Sequence, residues 1–363
     1  MALLEQANEI CILRLSAIGD VCHAVSAVQA IQQHYPKANI TWVIGKVEAA
    51  LLEGLPGVRF VLFDKKQGKT AYRKLKETFK NTQFDVLLHM QVALRANLAA
   101  FCIPAKVKIG FDWHRAKEGH FLFTNKHIAA RKYAHVLEGF MDFAQAIGVP
   151  HCKPTWAMPI SDQDRAFAKK QIGDLGKVLV ISPAASGAER NWLAQRYAEV
   201  AKYANQQGFS IVLTGGPTEL EQHLAAEIIS YLDFSALNLV GETSLKQLLC
   251  VLEAADLVIA PDSGPAHMAV AMRTPVIGLY AHSNPSRTGP YLYQDYVVEV
   301  YHKNLQQRFG KTAEQLAWGL RLKGKGLMNQ ISTQSVIAMF DKVVREQQII
   351  LKTSVGHRIC AEK

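Results

Sequence analysis

Apolar and polar positions along the chain fall into two series of short apolar runs separated by longer stretches of helical period. Apolar runs of about four to eight residues bounded by turn residues fit strands buried on both faces, as in a parallel sheet. The first series predicts strands at Ile10 to Leu15, Thr41 to Ile44, Val58 to Phe63, Phe84 to His89 and Val107 to Phe111. Helical patterns lie between them, from Val21 to about His34 and from Thr70 to Lys80. The second of these is basic, with Tyr72, Leu75 and Phe79 on one side. The pattern lapses around Gly148-Val149-Pro150 into chain punctuated by Pro150, Pro154 and Pro159.

A second series follows. It predicts strands at Lys177 to Ser182, Ser210 to Thr214, Ala236 to Val240, Leu257 to Ala260 and Thr274 to Tyr280. A helix is expected at Leu193 to Gln206 and a closing one at Ser332 to about Gln348. Strands alternating with helices imply parallel sheets covered on both faces. The expected fold is therefore α/β, with two Rossmann-like, doubly wound domains whose strand ends face one cleft. The bounds read as 1–155 and 175–330, with a helix and tail at 331–363 placed back against the first domain.

The chemistry sits in the loops that end these strands. In L-V-I-A-P-D-S-G-P-A-H, 257–267, Pro261 stops a strand and Asp262, Ser263 and Gly264 form a polar turn. Pro265 suits the first helical position, where its missing N–H costs nothing. Backbone N–H groups at such a helix start make a phosphate seat, with His267 in the first turn. A strand-to-helix turn capped by Asp262 or Ser263 is the plain alternative. Asp20, in S-A-I-G-D just past the first strand, is either a helix cap or a carboxylate projecting into the cleft. The loop S-P-A-A-S-G-A-E-R-N-W adds the Ser186 hydroxyl and the Arg190 guanidinium, which suit a diphosphate or a mobile surface loop. In T-G-G-P-T-E-L-E, Glu219 or Glu221 is placed to accept from ribose hydroxyls or to complement a helix dipole.

Composition narrows the classes. The chain has 363 residues, enough for two domains, and 41 Lys+Arg against 31 Asp+Glu, a net charge of +10. Residues 1–150 hold 19 Lys+Arg against 12 Asp+Glu, so most of the excess is in the first half. Basic residues gather at 65–80, including Lys65, Lys66 and Lys69, and at 106–132, including Arg115 and Lys117. An anionic partner for that half is expected: acidic substrate, acidic membrane surface or nucleic acid. No aromatic-interleaved basic strand or basic recognition helix favours nucleic acid. No apolar run approaches the ~18 residues of a membrane span, and Met1 to Glu9 lacks a basic leader segment. Cysteines 11, 22, 102, 152, 250 and 360 show no C-x-x-C pair and read as reduced cytosolic thiols. Neither G-x-G-x-x-G nor G-x-x-x-x-G-K-[ST] is found, and Asp162-Gln163-Asp164 reads as a helix start capped by Ser161 or Asp162. No metal site is expected.

With these loops in hand, the chain resembles the ADP-heptose–lipopolysaccharide heptosyltransferases of glycosyltransferase family 9. A-P-D-S-G-P-A-H at 260–267 carries the D-[ST]-G-x-x-H signature; L-R-L-S-A-I-G-D at 13–20 matches the N-terminal loop, and G-F-D-W at 110–113 the acceptor-side segment. The resemblance implies a GT-B fold and an inverting, metal-independent transfer with no cofactor beyond the nucleotide-sugar donor. It implies Asp20 as catalytic base; Asp262, Ser263, Gly264 and His267 as the diphosphate loop; Ser186 as a phosphate hydroxyl and Glu219 as the ribose acid. Ala185-Ser186 stands where some members have two threonines, and Arg190 where they have lysine. The expected reaction moves heptose from ADP-L-glycero-D-manno-heptose to Kdo on lipid A, in a cytoplasmic enzyme at the inner face of the inner membrane. Arg115, Lys117, Lys65, Lys66 and Lys69 are the expected acceptor contacts. Heptosyltransferase II, or another core sugar transferase, is the alternative within the family.

Overall fold

The computed structural model describes residues 7–349 and contains two all-parallel sheets of six strands. The first holds β1 (Glu9–Leu13), β2 (Asn39–Gly45), β3 (Val58–Phe63), β4 (Phe84–His89), β5 (Ala105–Gly110) and β6 (Lys126–His127), in the order β3-β2-β1-β4-β5-β6. Helices α1 (Ile18–His34), α2 (Lys46–Leu52), α3 (Lys69–Thr78), α4 (Leu94–Phe101) and α5 (Val136–Ala146) cover it. The second domain opens with α6 (Asp162–Ile172) and runs through β7 (Lys177–Ile181), α7 (Ala194–Gln206), β8 (Phe209–Leu213), α8 (Glu219–Ser230), β9 (Leu237–Asn238), α9 (Leu245–Ala254), β10 (Leu257–Pro261), α10 (Gly264–Ala271) and β11 (Val276–Tyr280). It closes with α11 (Pro285–Thr288), β12 (Val297–Glu299), α12 (Tyr301–Phe309) and α13 (Thr333–Glu346). Its strand order is β12-β11-β10-β7-β8-β9.

In each sheet the chain reverses direction across the sheet beside the first strand, β1 or β7, and crevices open at the strand ends there. The central strands are buried along their whole length because helices lie on both faces, which is why they read as unbroken apolar runs. Buried side chains of α1 and α5 continue into those of α9 and α10, so one apolar cluster spans both domains. Two expectations about domain bounds are corrected. The second domain begins at α6, which packs along α9, and not at 175. Helix α13 lies on α7 and β11, not on the first domain; Trp192 Nε1 donates to Ile331 O at 3.1 Å just before it. The tail after 349, with Cys360, lies outside the described residues. Ser161 caps α6 and Asp164 returns the bond, so the second acid of the D-x-D belongs to a capping box.

Candidate active site

Helices α1 and α10 start side by side across the domain boundary. A Cβ on Gly19 would overlap the His267 ring, and one on Gly264 would stand 3.3 Å from Ile18 Cγ2. The two small residues thus let the two positive helix ends meet at the cleft. Asp20 is not the cap of α1: it occupies the third helical position, where its carboxylate accepts from Ala17 N at 3.4 Å. The same carboxylate is ion-paired with Arg14, whose guanidinium also donates to Met90 O at 2.6 Å. The pair fixes where the carboxylate points.

The start of α10 also differs from the sequence reading. Ser263 is its N-cap residue by backbone but makes no capping bond, and Pro265 takes the second position, not the first. Asp262 is held by Ser283, whose hydroxyl donates to it at 2.6 Å, with Arg321 3.9 Å away. Arg190 donates to the Asp262 carbonyl at 3.2 Å and to Ser186 Oγ. Residues 186, 190 and 262, expected at one diphosphate, are therefore brought together. Two polar atoms here are buried without any partner among the described residues, Ser263 Oγ and His267 Nδ1. Leaving such groups unpaired costs about 1–3 kcal/mol each, which a bound acceptor or donor group would offset. Burial lowers the His267 pKa, and Asp262 and Asp20 pull it the other way, so one imidazole faces carboxylates of both domains. Glu221 is committed to Gly216 N and Thr218 Oγ1, at 2.8 and 2.6 Å. Glu219, the first residue of α8, is exposed and has no hydrogen bond among the described residues. Of the two acids, Glu219 remains available to a ligand.

The basic residues of the first domain divide. Lys65, Lys66, Lys69 and Lys117 are exposed; Lys65 lies close enough to Glu48 to oppose the rise in pKa that burial gives that acid, an effect shared with Arg14. Arg115, also expected at the acceptor, is tied into the domain. Its guanidinium is bound to Asp112, donates to Ala129 O at 3.0 Å and lies 3.7 Å from the buried Asp142. Arg131 also binds Asp142, at 2.9 Å, and Lys106 binds Asp85 at 2.7 Å. Much of the 106–132 charge is spent inside the domain, and Arg115 holds the loop after β5 in place.

Four site residues escaped the sequence reading. Arg14 was hidden as a lone cation in an apolar run. His23 and His135 form a buried cluster with His267, the His23 ring centroid 4.6 Å from His267 and 5.4 Å from His135. His135 Nε2 donates to Gly289 O of the other domain at 2.9 Å. Arg287, on α11, is largely desolvated, which lowers its pKa; Asp20 and Asp262 both counter that, placing the guanidinium near both carboxylates. The signal for it was position alone, a cation shortly after β11 on the cleft edge of the sheet.

Comparison with known proteins agrees with this geometry. The profile of glycosyltransferase family 9 (heptosyltransferase) matches residues 72–318. The chain is 45% identical over 339 residues to the lipopolysaccharide core heptosyltransferase OpsX of Haemophilus influenzae, covering 93% of this chain and 98% of that one. A family 9 glycosyl transferase of Veillonella parvula superposes with a TM-score of 0.77 at 23% identity, over 95% of this chain and 99% of that one. The Escherichia coli heptosyltransferase WaaC with ADP gives 0.72 at 20% identity, over 92% and 99%. These two structures share the fold, the GT-B pair of Rossmann-like domains. With its signature loop at the cleft and a relative of this identity along nearly its whole length, the chain belongs to glycosyltransferase family 9 and is a heptosyltransferase.

Proposed function

We propose that this enzyme transfers L-glycero-D-manno-heptose from ADP-heptose to a Kdo sugar of Kdo-lipid A in the lipopolysaccharide inner core, with inversion at the anomeric carbon. The observation that carries the reading is the pair of unpartnered polar atoms, Ser263 Oγ and His267 Nδ1, at the start of α10 beside Arg190. They suit a diphosphate, and the lipopolysaccharide core relative supports the acceptor class. In this reading Asp20 takes the proton of the acceptor hydroxyl as its oxygen attacks the anomeric carbon. ADP departs from the opposite face, and its growing charge meets Arg190, Ser186 and the N–H groups of α10. Glu219 receives the ribose hydroxyls, and Lys65, Lys66, Lys69 and Lys117 receive the carboxylates and phosphates of the acceptor. The acceptor is lipid-borne, so the enzyme works at the cytoplasmic face of the inner membrane. With these cations in place the transfer needs no divalent metal and no cofactor.

One assay tests both parts. ADP release is followed with Kdo-lipid A, and with its heptosylated product, before and after exhaustive chelation. Turnover on Kdo-lipid A, kept after chelation, is expected. Turnover on the heptosylated acceptor alone would assign the later step. Strict dependence on added Mg²⁺ or Mn²⁺ would overturn the metal-free reading.

A further inference from the structure

Helix α4 is apolar on both sides. Its sequence, L-R-A-N-L-A-A-F, buries Ala96, Asn97, Ala99 and Ala100 against the first sheet. Leu94, Leu98 and Phe101, spaced by four and three residues, therefore lie on one outward stripe. All three are exposed, Phe101 at 77%. The short 3-10 turn His120–Phe123 packs beside α4 and adds Leu122, exposed at 86%. Trp113, also exposed, stacks on Phe121 with ring centroids 3.4 Å apart. Leu94, Leu98, Phe101 and Leu122 thus come from two elements packed on one another at the outside of the molecule, with Trp113 stacked on the same turn; isolated exposed apolar side chains are ordinary, but such a grouping marks a contact surface.

A basic stripe borders this ridge. Helix α3 packs against α4, with Tyr72 Oη donating to Arg95 O at 3.4 Å. Lys69, Arg73 and Lys76, at helical spacings of four and three, project from the exposed side of α3, with Lys80 exposed just beyond its end and Arg95 on α4. Lys76 is near enough to Cys102, just after α4, to lower its thiol pKa against the dominant effect of burial, which raises it. The ridge also reaches the site. The N-terminal end of α4 follows Met90 and Gln91, which bond to Arg14 and to Leu15 N.

We propose that the outward face of α4, with Leu122 and Trp113, inserts into the surface of an anionic phospholipid bilayer while the α3 stripe binds its headgroups. An apolar stripe flanked by Lys and Arg, with an aromatic at its margin, is the surface such a bilayer takes up. A second copy of the chain fits less well, since it would bring the same positive stripe up against its own kind. The proposal deepens the reading of a lipid-borne acceptor, and fixes which side of the first domain lies on the membrane.

The test is co-sedimentation of the full chain with acceptor-free vesicles of phosphatidylcholine alone, or mixed with phosphatidylglycerol. Wild type should bind the mixed vesicles and bind phosphatidylcholine weakly. Leu98→Asp/Phe101→Asp should lower the partition coefficient at least about tenfold, because it places two charges in the apolar layer. Arg73→Glu/Lys76→Glu should lower it by a similar factor on mixed vesicles, with the difference fading at high salt, since each cation near an anionic surface is worth about fivefold. Melting temperature, and turnover on a soluble, lipid-free Kdo acceptor, should stay near wild type in both variants. Failure to turn over Kdo acceptors would sink the assigned reaction but not the membrane face. Unchanged vesicle binding in the Leu98/Phe101 variant, or a concentration-dependent dimer that this variant abolishes, would overturn the proposal.

Discussion

In the proposed reaction Asp20 carries the proton transfer, and its surroundings make a clean substitution available. The carboxylate sits at the third position of α1, accepts from Ala17 N and is gripped by Arg14. In Asp20→Asn the amide oxygen still accepts from Ala17 N, while Arg14 keeps its bond to Met90 O at 2.6 Å. The local fold should therefore survive, with a Tm close to wild type. An amide cannot take the acceptor proton, and loss of a general base costs about 10²–10⁴ in rate. We expect kcat for Asp20→Asn to fall by at least the lower of these factors, with ADP affinity by calorimetry unchanged. Turnover within a few-fold of wild type would remove Asp20 from proton transfer and leave it as an anchor for Arg14. The Arg14 pairing itself was illegible in the chain. Its partners are Asp20, six residues on, and a carbonyl at 90, reached only once β1 and β4 pair side by side.

At the scale of elements, the decisive feature is how closely α1 and α10 approach. Gly19 faces the His267 ring with no room for a methyl group. Gly19→Ala must therefore move either the imidazole or the helix. Overpacking of this kind costs about 1–3 kcal/mol, and it falls on His267 of the proposed diphosphate loop. The expected result is a lower denaturant midpoint together with a raised Kd for ADP; an unchanged midpoint would mean the helices do not meet here. The strand–loop–helix unit of β10 and α10 was legible because proline, glycine and a small polar turn punctuate it, a local pattern. The place of the Asp262 carboxylate was not, because it is drawn to Ser283 and Arg321, both remote along the chain. Helix α4 was missed for another reason. With Leu94, Leu98 and Phe101 outside and alanines inside, it has weak polar contrast to show a helical period. The tie of Arg115 to Asp142 was illegible too, since sequence separates the two by a strand and most of a helix.

For the whole molecule, the join between domains is built in part from histidines that must stay neutral. His23 and His135 of the first domain meet His267 of the second, and His135 donates across the boundary to Gly289 O. Burial is the main cause in all three, holding His135 at about 4 and lowering His23 and His267 below the ordinary 6.5. Neighbouring cations add to it, Arg14 at His23 and Arg287 at His135, while Asp262 and Asp20 oppose it at His267. His89, at the end of β4, and His120, in the turn after β5, are similarly held at about 3 and about 4. The sign follows from proton counting. Below 6.5 the unfolded chain takes up protons that the folded one refuses, so stability is full above that pH and is lost as pH falls toward 4. Each unit in that window costs about 1.4 kcal/mol for every histidine that stays neutral in the fold. Urea unfolding followed from neutral pH down to about 5 should therefore show a decline steeper than one histidine can give, and it precedes the range where carboxylates titrate. His135→Gln retains an amide donor for Gly289 O but has no proton to gain. It should flatten the decline by one histidine's share, beside a pH-independent loss of about 0.5–2 kcal/mol for the cap that His135 Nδ1 gives Leu137 N at the start of α5. An identical slope in wild type and variant would mean that His135 titrates alike in folded and unfolded chains, and that acid does not loosen the domain join through it.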